Sequence, residues 1–67
     1  MAKNYIIRTS DNDNDNVLYF SGWDAILGGA RKNTDKGLAF RMLRTIAEKD
    51  LPKIEKLWNR HCKIESV

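Results

Sequence analysis

His61 and Cys62 are the only histidine and the only cysteine in the 67 residues, and they are adjacent. A thiol beside an imidazole is raw material for nucleophilic catalysis. The spacing of this region predicts a helix, however, and helical neighbours point about 100° apart, so the two side chains do not face each other as a dyad. No second histidine can serve as the base. Cys62 falls on the stripe of Leu57 and Trp58 and reads as a small core residue. His61 reads as an edge residue near the helix C-terminus, where partial positive charge is favourable. One thiol forms no internal disulfide, and one Cys with one His does not complete a four-ligand zinc site.

The acids offer little more. Asp11, Asp13 and Asp15 alternate with asparagines and invite a calcium reading. Counted from Asp11, an EF-hand needs glycine at the sixth place and glutamate at the twelfth. Those places hold Asn16 and Gly22. A hydrophilic hairpin tip is the simpler reading. Asp35, Glu48, Asp50, Glu55 and Glu65 each fit a helix cap or a surface charge, and Glu48 sits four residues after Arg44, a pairing that contributes about 0.2–0.5 kcal/mol. Leu27-Gly28-Gly29-Ala30 lacks the spacing of a phosphate loop. With no set of nucleophile, base and oxyanion donors, the sequence points away from an enzyme, and it asks for no cofactor and no metal.

The basic residues are the most functional-looking feature. The first 24 residues carry two cations and four acids, the remainder ten and five. Arg31, Lys32, Lys36, Arg41 and Arg44 cluster in sequence, and Arg41 and Arg44 share a helix face at a spacing of three. Such a set can track a phosphate backbone, with Tyr19, Phe20 and Trp23 as stacking groups. It can equally be the rim of a protein interface with an aromatic anchor, or a solvated face. No helix-turn-helix, RNP or zinc-knuckle pattern is present to favour nucleic acid.

Elements must position these residues. Leu38, Ala39, Met42, Leu43, Ile46 and Ala47 recur at helical spacing, and Leu51, Ile54, Leu57, Trp58 and Cys62 do so after Asp50-Leu51-Pro52. The pattern predicts helices over 35–49 and 51–63, capped by one of Asn33, Thr34 or Asp35 and by Asp50, with Pro52 in a first turn. Residues 64–67 are expected to fray. Segments 4–9 and 17–23 are rich in β-formers and flank a polar loop at 10–16, which predicts an antiparallel hairpin. Alternation puts Leu18 and Phe20, with Ile6 or Ile7, toward the helices. It puts Tyr5, Tyr19 and Trp23 on or near the outer face. Residues 24–30 fit either a helical turn or the start of a strand, and Ala30-Arg31-Lys32 can add a third strand to a hairpin that is marginal alone.

The expected fold is therefore α+β: one domain over 1–67, with an antiparallel sheet of two or three strands packed on two C-terminal helices. A chain this short buries only about 60% of its unfolded surface, so a homodimer is a plausible aid to stability. No stretch approaches the ~18 apolar residues of a membrane span. The three-residue apolar run after Lys3 is too short for a signal peptide. A lone thiol fits a reducing cytoplasm.

The order of parts carries a resemblance. Tyr5-Ile6-Ile7-Arg8, a polar hairpin, Leu18-Tyr19-Phe20-Ser21-Gly22-Trp23, then Ala30-Arg31-Lys32 leading to a helix entered at Ala39 resembles short β-hairpin-plus-helix proteins of bacteriophages and prophages. That resemblance implies a stoichiometric binder in the cytoplasm of a bacterial host. Such a binder inhibits or redirects a host enzyme, a polymerase or a defence system such as CRISPR. It supplies no site residues. From the residues themselves, the expected contact surface is Arg31, Lys32, Lys36, Arg41 and Arg44 with Trp23 or Tyr19 beside them. Direct nucleic-acid binding by the same patch and a homodimeric accessory domain remain the alternatives.

Overall fold

A computed structural model describes residues 4–10 and 17–67. Nearly all of the expected polar loop lies outside the described residues, and with it the calcium reading of Asp11, Asp13 and Asp15. The elements are β1 (Tyr5–Thr9), β2 (Tyr19–Trp23), β3 (Ala30–Asn33), α1 (Arg44–Trp58) and β4 (Cys62–Ser66). The strands form one antiparallel sheet in the order β3-β2-β1-β4. The class is α+β, but the expected layout of two C-terminal helices on two or three strands is wrong. The sheet has four strands, and the described residues contain a single α-helix.

Both expected helices fail, for different local reasons. The span 35–49 does not begin as a helix. Asn33 Oδ1 accepts from the Asp35 amide and Asp35 Oδ1 from the Gly37 amide, so side chains tie this backbone into a short 3-10 turn at Lys36–Leu38. The chain then runs extended from Ala39 to Leu43 and enters α1 at Arg44. The apparent break at Asp50-Leu51-Pro52 lies inside α1. Pro52 removes one amide from the helical ladder, and the carbonyl it would have served belongs to Glu48 on the exposed face. Burying Ala47 and Ile54, with Leu51 and Trp58 packed beside them, holds the helix through that gap.

The span 51–63 ends early. Asn59 takes a left-handed conformation (φ 54°) and its amide returns to the Glu55 carbonyl, which stops α1. The residues that follow form β4, paired with β1 from Thr9↔Cys62 to Tyr5↔Ser66. Residues 64–66, expected to fray, are thus part of the ladder, and the Val67 amide donates to the Asn4 carbonyl. Cys62 is buried as expected, but from a strand, with Ile64 packed against the same core and Lys63 and Glu65 alternating to the other face.

β1 is covered on both sides. Ile7 packs with Phe20, Met42, Ala47, Ile54 and Cys62 under α1. Its neighbour Ile6 points the other way and is equally buried. Glu65 lies opposite Ile6, and the Lys36 ammonium reaches it at 3.6 Å. The turn after β3 therefore crosses the face away from the helix. Phe20 faces the core as expected, while Val17 rather than Leu18 is the buried residue at the entry to β2.

β1 and β2 share one paired position, Arg8↔Tyr19, and then diverge. Residues 40–42 fill the gap. The Phe40 amide donates to the Phe20 carbonyl (2.8 Å), and Tyr5 and Met42 exchange both backbone hydrogen bonds (3.1 and 2.8 Å). The inserted segment so satisfies polar groups that the split would otherwise bury unpaired.

The two arrangements differ in a measurable way. Ile54→Ala should cost ~2–5 kcal/mol in urea unfolding, because it empties a fully buried site. Leu57→Ala should stay within ~0.5 kcal/mol, since Leu57 is 52% exposed on α1. A second amphipathic helix over 51–63 would have made both costly.

Candidate binding surface

The sheet is interrupted where its aromatic residues gather. The β2–β3 register shifts between Phe20 and Gly22, so Ser21 is an extra residue. Gly22 has φ 120°, a conformation that L side chains rarely adopt. The extra residue inverts the alternation, and Trp23 returns to the side of Phe20. Their rings meet edge to face with centroids 5.2 Å apart. Phe40, on the inserted segment, packs edge-on to Phe20 from another direction at 6.1 Å. Trp23 is 44% exposed and Phe40 49%.

Between them opens a mainly apolar cleft of about 270 Å³, lined by Trp23, Phe40, Met42, Leu43 and Ile46 with Arg41 and Asp50 as its charged members. Phe40, Leu43 and Ile46 escaped the sequence reading of the site. A helix over 35–49 places them on or around its buried stripe, whereas the extended backbone before α1 leaves Phe40 open to solvent and the first turn of α1 leaves Ile46 so.

The expected basic patch is dispersed. Arg31 sits on β3 with its Nε 3.9 Å from Asp24 Oδ2. Lys36 is drawn to Glu65 on the far face. Arg44 bonds Glu48 at 3.0 Å and lies over the Tyr5 ring at 5.9 Å. Lys32 is exposed on β3, opposite the core residue Phe20. Only Arg41 shares the cleft with Trp23. Tyr19 is half-buried in mid-sheet between Arg8 and Asn33, away from the cleft.

A second apolar feature crowns the β2–β3 turn. Asp24 Oδ1 accepts from the Ile26 and Leu27 amides, and the Asp24 amide and carbonyl bond Gly29 and Gly28. The Leu27 and Ile26 amides hold the Asp24 carboxyl below its ordinary range. The turn that results displays Ile26 and Leu27 almost fully to solvent. Residues 24–29 are therefore a structured turn, and β3 begins at Ala30.

Glu55, His61 and Cys62 do come together. Glu55 Oε2 accepts from the Cys62 amide (3.0 Å) and lies 3.9 Å from His61 Nδ1. The grouping does not make a nucleophile. Burial, then the Glu55 carboxylate, pushes the Cys62 thiol up to about 11, and the thiol donates to the Arg60 carbonyl. Among the described residues no group of His, Cys, Asp and Glu side chains could hold a metal ion, and no helix is long and apolar enough to cross a membrane.

Two outcomes follow. Gly22→Ala should destabilise by ~1–3 kcal/mol through backbone strain alone, since the nearest atom to an added Cβ is Phe40 Cδ2 at an ordinary 3.8 Å. Trp23 fluorescence should shift with it. Folding favours the neutral Cys62 thiol, so its contribution to stability is complete below its ordinary value of 9.0 and lost as pH rises through about 11. Wild type should therefore lose more stability than Cys62→Ala across that window, and native Cys62 should resist thiol reagents at neutral pH.

The chain matches no protein-family model, no curated protein and no solved structure.

Proposed function

We propose that this chain is a small non-enzymatic binding module that docks on a bacterial protein through the cleft of Trp23, Phe40 and Ile46. The observation that carries this reading is the pair of half-exposed aromatic rings locked edge-on against buried Phe20. Rigid aromatic side chains beside an arginine are the usual composition of an interface hot spot. Covering the exposed parts of Trp23, Phe40 and Ile46 removes roughly 200–300 Å² of apolar surface from water, about 5–8 kcal/mol at ~25 cal/mol per Å². Association itself costs ~4–15 kcal/mol. The cleft is thus the anchor of a larger contact, matching an apolar side chain flanked by an acid that Arg41 can meet.

The dispersal of the cations weighs against a phosphate track, because Arg31, Lys36 and Arg44 each have an acidic neighbour within 4 Å. The resemblance to phage hairpin-and-helix proteins implies the class of partner: a host enzyme or a defence complex such as CRISPR, inhibited or redirected by a stoichiometric binder.

Tagged protein, passed through nuclease-treated bacterial lysate beside the Phe40→Ser variant, tests this. One protein should be retained by wild type and lost by the variant, with affinity that changes little between low and high salt. Recovery that vanishes with nuclease, or binding that weakens steeply with salt, would replace this reading with nucleic-acid binding.

A further inference from the structure

β4 is an edge of the sheet, and among the described residues no strand lies on its outer side. Which of its backbone groups face outward follows from β1. The Tyr5 and Thr9 amides are directed toward Met42 and Leu18, away from β4. The Ser10 amide to the His61 carbonyl and the Val67 amide to the Asn4 carbonyl bracket the β1–β4 ladder. The intervening bonds therefore join Ile6 with Glu65 and Arg8 with Lys63. Cys62, Ile64 and Ser66 then turn their amides and carbonyls outward. The Cys62 amide is taken by Glu55, which leaves both groups of Ile64, both of Ser66 and the Cys62 carbonyl.

We propose that β4 pairs antiparallel with β4 of a second copy of this chain, with Ile64 opposite Ile64, to give a continuous eight-stranded sheet. The hydrogen-bond phase of the edge permits only registers in which outward residues meet outward residues. Three of these bring most of the strand into contact. One sets Lys63 against Lys63, and another sets Glu65 against Glu65. The register centred on Ile64 sets Lys63 of each copy against Glu65 of the other, and does so twice by symmetry. These are non-hydrogen-bonded pairs, where side chains approach closest. In that register Ile64 exchanges two backbone bonds with its counterpart, and each Ser66 amide reaches the opposite Cys62 carbonyl.

A lysine on an edge strand ordinarily discourages pairing. Here Glu65, two residues on, turns it into a register mark. Lys63 is exposed and has no acidic neighbour among the described residues. Glu65 is only loosely held within its own chain, Lys36 lying 3.6 Å from Oε2 and Arg8 3.9 Å from Oε1.

Sedimentation equilibrium and amide exchange by NMR, on one dilution series of the full chain, test the proposal. A monomer–dimer equilibrium is expected, with the Ile64 and Ser66 amides gaining protection as concentration rises. Ile64→Pro removes an amide that serves no bond within the chain, and should leave a folded monomer. Lys63→Glu, which keeps every intrachain hydrogen bond, should weaken the dimer about tenfold. Should Ile64→Pro fail to fold, Lys63→Glu and the amide protection decide. A chain that stays monomeric from micromolar to millimolar concentration would overturn the proposal. So would a dimer in which Ile64 and Ser66 exchange as freely as in the monomer, or one abolished by Phe40→Ser.

Discussion

The backbone of Tyr5 and the backbone of Met42 hold each other by two hydrogen bonds, and much of the molecule is arranged to keep that contact. Because β1 and β2 part after one paired position, the sheet would otherwise contain a seam of unsatisfied amides and carbonyls. The inserted segment closes the seam. It also puts Met42 into the core, brings Phe40 against Phe20, and delivers the chain to the start of α1 beside the strands it covers. A helix running back to residue 35 would have satisfied its own backbone and left the seam open. The requirement to pair every buried polar group thus outweighs the helical spacing of the side chains there.

That competition explains what could be read in the residues beforehand. The two hairpin strands and the inward aspect of Phe20 were legible, because β-branched and aromatic runs between turn residues leave few alternatives, whereas Ala30-Arg31-Lys32 has neither residue type and left the third strand open. Leu38, Ala39, Met42 and Leu43 mimic a helix stripe by coincidence, and only the long-range partners Tyr5 and Phe20 reveal the extended form. Cys62-Lys63-Ile64-Glu65-Ser66 is too short to declare itself beside a preceding helix, although Cys62 and Ile64 alternate with Lys63 and Glu65. The left-handed Asn59 was the local signal for the boundary. Trp23 was misplaced because alternation fails at a bulge, and Gly22 marks the place.

The charged side chains follow the fold rather than defining a surface of their own. Five cations close in sequence are carried to a strand, a turn, an extended segment and a helix start, and three of them meet carboxylates there. Glu65 gathers Arg8 from the neighbouring strand and Lys36 from the crossing turn, so it ties the ends of the sheet together across the face that α1 leaves uncovered. Proximity along the chain is a poor guide to a patch when the chain reverses direction this often.

The pairing of Tyr5 with Ser66 sets the order in which the structure can come into being. β1 is made well before its partner β4. Until the ribosome has released residue 66, one side of β1 has no strand to bond, and Ile7 lacks the cover of Cys62 and Ile64. The emerging chain can shape its turns and begin α1, whose backbone hydrogen bonds are local. The β1–β4 edge itself waits for a closure that runs from Tyr5 to Ser66, and pairing over so long a separation slows folding.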